Sequence, residues 1–389
     1  MLDEILLLTN GPGELSTWVP PVLSRLRQKM PQTRIELFLI RDQFAAGTEQ
    51  TKARELELDA ISSRAGLAQR LLQGRARGRG LVLMLGGAPR DAVMLAKSAG
   101  YPAFSYTFDP KANHPGLRAL LVDSERTRAG ALARGADPTR TLVVGNLVAD
   151  ALNDAALAPT PGADVLLFAG SRPFVARHLL GFLLAAAEHM AVKRPDLKFA
   201  WVRSRLLSDT LVEEAIKAAR VRDLGGVGAC WDGQSLRTRH GLEVRMLDES
   251  QRYAAMRQAG LAITIPGTNT LELALAGLPS LVLLPLHKPE LLPLEGIWHW
   301  LFLLPGARIL KQNFIMRLES RIPHLALPNQ WLGERVFPEL RGVFSPAEVA
   351  IAGLELLIPE RTKEVRAKLE RLEAQPGADK LVEYVLANC

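Results

Sequence analysis

Short apolar runs alternate along this chain with longer segments of helical period, starting with Ile5-Leu6-Leu7-Leu8-Thr9 and the stretch 16–29 that follows it. A short apolar run without polar alternation suits a strand buried on both faces, and such strands occur where helices cover both sides of a parallel sheet. The pattern predicts repeated strand–helix–strand units in an α/β, doubly wound fold. Strands are expected over 5–9, 35–40, 81–85, 103–106, 119–122 and 142–144, with helices over 16–29 and 90–98. Across 151–163 the sequence ALNDAALAPTPGA loses its period, as an interdomain linker does. The pattern then restarts, with strands over 165–168, 199–202, 243–246, 261–265 and 280–284 and helices over 175–193 and 208–219. At about 150 residues per domain, 389 residues suit two similar Rossmann-like domains, 1–155 and 156–350, with a cleft between them. The remaining helical segment, 351–389, carries alternating charges over 359–374 and is read as a surface helix or a strap returning to the first half.

With 48% apolar and 23% charged residues, the chain is neither disordered nor of low complexity. Its formal net charge of +7 favours anionic partners: phosphates, acidic lipid headgroups or nucleic acid. The densest basic cluster, Arg75 to Arg79 in GRARGRG, has no aromatic neighbour to stack on bases. It is read as a solvated or membrane-facing loop, and no nucleic-acid partner is expected. Two cysteines, Cys230 and Cys389, make no disulfide framework and point to a reducing compartment. Asp3 and Glu4 stand where a signal peptide needs basic residues, and the most apolar windows, 278–286 and 297–304, fall short of the ~20 residues of a spanning helix. A cytoplasmic protein that does not cross the bilayer is expected.

Five loops carry residues that could do chemistry. Thr9-Asn10-Gly11-Pro12-Gly13-Glu14 lies between a strand and a helix, where glycines let a ligand approach the backbone and the helix start favours anions; a tight turn is the plain alternative. In Phe168-Ala169-Gly170-Ser171-Arg172, backbone N–H groups and a forked guanidinium suit a diphosphate, and an ordinary strand-to-helix turn explains the same residues. In Ile265-Pro266-Gly267-Thr268-Asn269-Thr270-Leu271-Glu272, the spacing of Asn269 and Glu272 fits a capping box, which leaves the glycine and the two threonines at the strand end unexplained. Gly145-Asn146 near the linker and Leu327-Pro328-Asn329 after a proline break read, taken alone, as a turn and a helix start.

In this order the five loops resemble the lipid-A-disaccharide synthase family, which joins two acylated glucosamine units using a uridine-diphosphate sugar. Gly13-Glu14-Leu15-Ser16 is similar to the family's Gly-Glu-x-Ser, Ala169-Gly170-Ser171-Arg172 to its Pro-Gly-Ser-Arg, and Pro266-Gly267-Thr268-Asn269-Thr270-Leu271-Glu272 to its Ser-Gly-Thr-x-x-Leu-Glu. Leu327-Pro328-Asn329-Gln330-Trp331 is similar to its Leu-Pro-Asn-Leu-Leu. The resemblance implies the two-domain GT-B fold, with the nucleotide sugar held in the C-terminal half by Gly170, Ser171, Arg172, Gly267, Thr268, Asn269, Thr270 and Glu272, the last accepting from ribose hydroxyls. It places Gly13, Ser16, Asn146 and Asn329 on the acceptor side or in the cleft. It implies a UDP-sugar as co-substrate, no other cofactor and no metal, a lipid or glycolipid acceptor, and peripheral work at the inner face of the plasma membrane; a homo-oligomer is left open.

The chain departs from the family in three places: Pro266 stands where the family usually has serine, the glutamate expected after Gly-Ser-Arg is absent, and one loop is altered. Where the family reads Gly-Ile-Asp-Ala-Pro-Asp, this chain reads Gly86-Gly87-Ala88-Pro89-Arg90, with Asp91 one residue late and so turned by about 100° around a helix axis. Inverting sugar transfer needs a base for the acceptor hydroxyl and a neutralised leaving group. Glu14 ranks first as base, then Asp91, then Asp109 with His114, for which loop solvation is the plainer account. The lost carboxylates leave two other readings open: a nucleotide-sugar epimerase of the same architecture, and a non-catalytic nucleotide-sugar or glycolipid binder. The aromatic stretch 295–304, bounded by Pro293 and Pro305, suits either an acyl-chain groove or a core helix.

Overall fold

The buried apolar runs become strands of two separate sheets. In the computed structural model, which describes residues 2–40, 53–74, 78–155, 162–217, 224–287 and 321–389, the first sheet holds β1 (Glu4–Thr9), β2 (Arg34–Leu39), β3 (Ala60–Ser62), β4 (Gly80–Leu85), β5 (Ala103–Thr107), β6 (Ala119–Val122) and β7 (Thr141–Val143). Their order is β3-β2-β1-β4-β5-β6-β7, with parallel pairing throughout. β1, β4, β5 and β6 are buried at every position, which is why their sequences do not alternate. Helices α1 (Pro12–Thr17), α2 (Val19–Lys29), α3 (Arg64–Gln73), α4 (Pro89–Ala99), α5 (Glu125–Leu132) and α6 (Leu147–Asp154) connect and cover them. The single helix expected over 16–29 is two, parted at Trp18, because Pro20 and Pro21 lack the N–H groups that would continue α1 and instead open α2.

The second sheet holds β8 (Val165–Leu167), β9 (Phe199–Arg203), β10 (Ala229–Trp231), β11 (Ser235–Thr238), β12 (Glu243–Asp248), β13 (Leu261–Thr264), β14 (Ser280–Pro285) and β15 (Glu339–Gly342) in the order β10-β11-β12-β9-β8-β13-β14-β15. β10 and β11 add an antiparallel edge to an otherwise parallel sheet. The helices here are α7 (Pro173–Lys193), α8 (Asp209–Ile216), α9 (Arg252–Gln258), α10 (Asn269–Leu275), α11 (Leu327–Leu332), α12 (Pro346–Leu356) and α13 (Pro359–Leu369). By length and composition the 21-residue α7 could cross a membrane, a candidate the short apolar windows of the sequence did not suggest; 61% of its apolar window is buried within the unit, where it packs on α8 and α12.

The chain divides into Met1–Ala155 with Ala374–Cys389, and Ala156–Glu373. The helical segment expected over 351–389 is therefore split. The charged α13 stays with the second unit, and the part that returns is α14 (Ala378–Ala387), whose Leu381, Val382 and Val385 are buried and which packs on α2. An apolar stripe, which α14 has and α13 largely lacks, is what gives a helix a reason to dock. A backbone clasp holds this return. Asn146 N donates to Gln375 O at 2.7 Å, and the Asp150 carboxylate accepts from the N–H groups of Gly377 and Ala378 at 2.6 and 3.0 Å, capping α14. Gly145, at φ 118°, lies so close to the strap that a Cβ there would sit 2.6 Å from the Pro376 carbonyl oxygen.

Candidate functional site

In the second sheet the chain winds outward from β8 through β9 to β12, then returns to β13 on the other side of β8. Open α/β sheets bind ligands beyond the carboxyl ends of the strands flanking such a reversal. Two of the expected loops sit there. Phe168–Arg172 follows β8, Ile265–Glu272 follows β13, and the strands pair directly, Leu167 opposite Ile263. Gly170 has φ +84°, and a Cβ on it would lie 2.7 Å from Ile265 Cδ1, so the loops touch at a point that only glycine fits. Ser171 and Arg172 are half-buried, and Arg172 precedes Pro173 at the start of α7 with no side-chain cap on the helix. Pro173 has no N–H, and those of Val175 and Ala176 donate to Arg172 O at 3.0 Å, so it is the start of a long helix as a whole that favours an anion beside the loop.

The capping box expected from Asn269 and Glu272 does not form. Thr268 stands at the N-cap in helical conformation, and Asn269 instead donates from Nδ2 to Thr264 Oγ1 at 2.6 Å, tying α10 to the tip of β13. Thr270 Oγ1 donates to Gly267 O at 2.8 Å and accepts from Leu327 N at 3.1 Å. Glu272 turns away from its own helix start. Its Oε1 accepts from Tyr253 Oη at 2.9 Å and Arg252 Nη2 at 3.2 Å. Arg252 and Tyr253 were not among the expected residues, because nothing in their spacing relates them to a glutamate about twenty positions on. The available signal is an arginine–tyrosine pair opening the otherwise apolar turn Ala254-Ala255-Met256.

Both asparagines assigned to the acceptor side or cleft are buried, Asn146 with its Nδ2 unpartnered among the described residues. Asn329 belongs to the second unit and is fully buried: Oδ1 accepts from Val336 N and Phe337 N, and Nδ2 donates to Phe337 O and Glu339 Oε1, all at 2.8–2.9 Å. All its hydrogen-bonding positions are spent on the fold. Asn146 is 1% exposed and caps α6, its Oδ1 accepting from Val148 N.

In the first sheet the reversal falls between β1 and β4. Thr9 Oγ1 donates to Leu85 O across the two tips at 3.1 Å. Glu14, half-buried in the first turn of α1, lies over the loop where the family's carboxylates are missing: a Cβ on Gly86 would come within 2.7 Å of Glu14 Cγ and 3.0 Å of Trp18 Cζ3. Gly13 and Ser16 share this short helix. Trp18 meets Tyr106 edge-on at 5.2 Å and Phe108 at 4.6 Å, an aromatic floor that the sequence did not reveal because the junction of α1 and α2 and the end of β5 lie far apart along the chain. Burial, with the charge of nearby Asp123, pushes the Tyr106 phenol well up, and burial raises the Asp123 carboxyl. Asp91 is half-buried in the first turn of α4. Asp109 and His114 each accept from a backbone N–H two residues on, Lys111 N and Gly116 N, as turn residues do. The aromatic stretch 295–304 and Arg75 to Arg77 lie outside the described residues.

No protein-family model matches the chain. Over 240 residues, 59% of this chain, it is 27% identical to the lipid-A-disaccharide synthase of Anaeromyxobacter dehalogenans, and over 220 residues, 56% of this chain, 26% identical to that of Geobacter sulfurreducens. These matches cover 50% and 46% of the two proteins, so the chain spans about half the length of the curated relatives it matches. Among solved structures it is similar to S. aureus MnaA with UDP, at TM-score 0.58 and 12% identity over 100% of this chain and 98% of that one. It is also similar to UDP-GlcNAc 2-epimerase from Neisseria meningitidis bound to UDP-GlcNAc, at TM-score 0.54 and 12% identity over 99% of each chain. At that identity the likeness is one of architecture: two Rossmann-like α/β units of the GT-B type.

Proposed function

We propose that this chain, a divergent relative of the curated lipid-A-disaccharide synthases, is a glycosyltransferase that moves a sugar from a UDP-sugar to a lipid-linked acceptor, with inversion and without a divalent metal. The observation that carries the reading is the meeting of Gly170–Arg172 and Gly267–Glu272 at the reversal between β8 and β13. Arg172 and the N-terminus of α7 would take the diphosphate and offset the charge that develops on it as the glycosidic bond breaks. Glu272 would accept from the ribose hydroxyls. The first unit would supply the base, and Glu14 is the carboxylate its geometry favours, lying at the reversal between β1 and β4 above Gly86. The net charge of +7 suits work on an anionic membrane surface, which we place on the cytoplasmic side.

The test is release of UDP from a panel of UDP-sugars with and without membrane lipid extract. Release that requires lipid and persists in EDTA supports the proposal. Isomerisation of the donor sugar without any acceptor would replace it with an epimerase, and nucleotide binding with neither product would leave a binding protein.

A further inference from the structure

The charged side chains beyond β9, β12 and β13 form one connected chain of hydrogen bonds. Ser204 Oγ and Arg205 N donate to Glu249 Oε2 at 3.3 and 2.9 Å. Arg252 Nη1 donates to Glu249 Oε1 at 3.3 Å, and Arg252 Nη2 reaches Tyr253 Oη at 2.6 Å and Glu272 Oε1 at 3.2 Å. Tyr253 Oη donates onward to the same Glu272 oxygen at 2.9 Å. The Arg252 and Glu272 side chains are 11% and 6% exposed, and the guanidinium lies 4.2 Å from the centre of the Tyr253 ring.

Burying such a pair is expensive, since each ion loses several kcal/mol of hydration, and apolar residues of similar size would serve packing as well or better. The network therefore asks for a use that packing does not supply. Its position suggests one. Glu272 lies in the first turn of α10, just after the loop whose Ile265 meets Gly170, and two donors on one of its oxygens stop the carboxyl plane from turning. A ribose presents two hydroxyl donors in fixed relation, and an acceptor held at one angle distinguishes that diol from a sugar lacking one of them.

We propose that Arg252 and Tyr253 are positioning residues that hold the Glu272 carboxylate in the orientation that reads the ribose diol of the nucleoside diphosphate. The inference rests on the donor site proposed above. Burial, reinforced by the Glu272 charge, pushes the Tyr253 phenol up and keeps it a donor, and the carboxylates outweigh burial in holding the Arg252 charge.

The experiment is calorimetric binding of UDP and 2′-deoxy-UDP to the full chain and to Tyr253→Phe, Arg252→Lys and Arg252→Met, each checked by thermal melting. The wild type is expected to prefer UDP by about tenfold or more, the scale of one hydrogen bond to a charged acceptor. Tyr253→Phe and Arg252→Met should bring that preference to within about threefold while changing 2′-deoxy-UDP affinity little, and Arg252→Lys should restore part of it. Folded variants that keep the wild-type preference, or that lose affinity for both nucleotides by the same factor, overturn the positioning role. A wild type that binds both equally overturns the ribose reading of Glu272, and a wild type that binds neither overturns the donor site itself. If Arg252→Met does not fold, Tyr253→Phe and Arg252→Lys decide the matter.

Discussion

On the proposed reading Arg172 acts on the diphosphate through charge and Glu14 on the acceptor through proton transfer, so their losses should separate. Arg172→Ala is expected to weaken UDP binding by about 1.5–3 kcal/mol, the worth of hydrogen bonds between charged groups; unchanged affinity by calorimetry would move the diphosphate elsewhere. Glu14→Gln should remove lipid-dependent UDP release and leave UDP affinity as it was. Gly86→Ala should act in the same direction, because the methyl would press on Glu14 Cγ from 2.7 Å and Gly86 has φ +77°. Turnover at the wild-type rate in both variants would take Glu14 out of the base role. Residues at this scale were legible where a glycine, hydroxyl or arginine follows an apolar run directly, as in Gly170-Ser171-Arg172, since the strand itself fixes where the loop must lie. Asn329, whose amide is spent on the fold, was not legible for a physical reason: an amide serves a helix cap or a turn as well as a ligand, and the sequence does not show which way it faces.

Among elements, α14 joins an apolar stripe on α2 to a close meeting of backbone with backbone. Gly145 and Gly377 approach so closely that a Cβ on Gly377 would lie 2.5 Å from the Gly145 carbonyl carbon. Gly145→Ala should cost about 2 kcal/mol or more, from the overlap and the positive φ together, seen as a lower midpoint in urea. A midpoint within error of the wild type would mean the clasp yields without cost. β1, β4 and β13 could be read from sequence because burial on both faces makes their interiors continuous apolar runs, with polar residues only at strand ends, as at Glu4, Thr9 and Thr264. β3, β10, β11 and β15 could not: they are three or four residues long and wholly or partly exposed, too short for a period to register. The division of the C-terminal segment was hidden for a related cause, since charge alternation marks a helix as solvated without saying which unit it borders.

For the whole molecule, acid should act unequally on the two units. Among the described residues, Asp196, Asp232, Asp248, Glu339, Glu348 and Glu364 of the second unit have carboxyls held below the ordinary range; Asp248, despite burial that pushes it up, is brought to about 2 by Arg205 and Ser250. The first unit holds Asp59 and Asp137 low, whereas burial raises Asp123 and Asp150. A lowered carboxyl contributes stability that is present above the unfolded value near 4 and is lost as pH falls through the folded value. A raised one has the opposite sign, its contribution being full below the unfolded value and lost as pH rises through the folded one. Several of these groups are exposed and individually worth little, so the effect is a sum of small parts. Scanning calorimetry from pH 7 to 3, with hydrogen exchange to assign the transitions, should show the second unit losing melting temperature faster; equal shifts would contradict the balance of signs. The split of the first unit, with α14 following the second unit in sequence, also sets an order on biosynthesis. A ribosome makes the contiguous second unit before it makes the helix that covers α2, so the first unit stays open at α2 while the second is made. A released chain truncated after residue 373 should carry a protease-sensitive N-terminal unit ahead of a resistant second one.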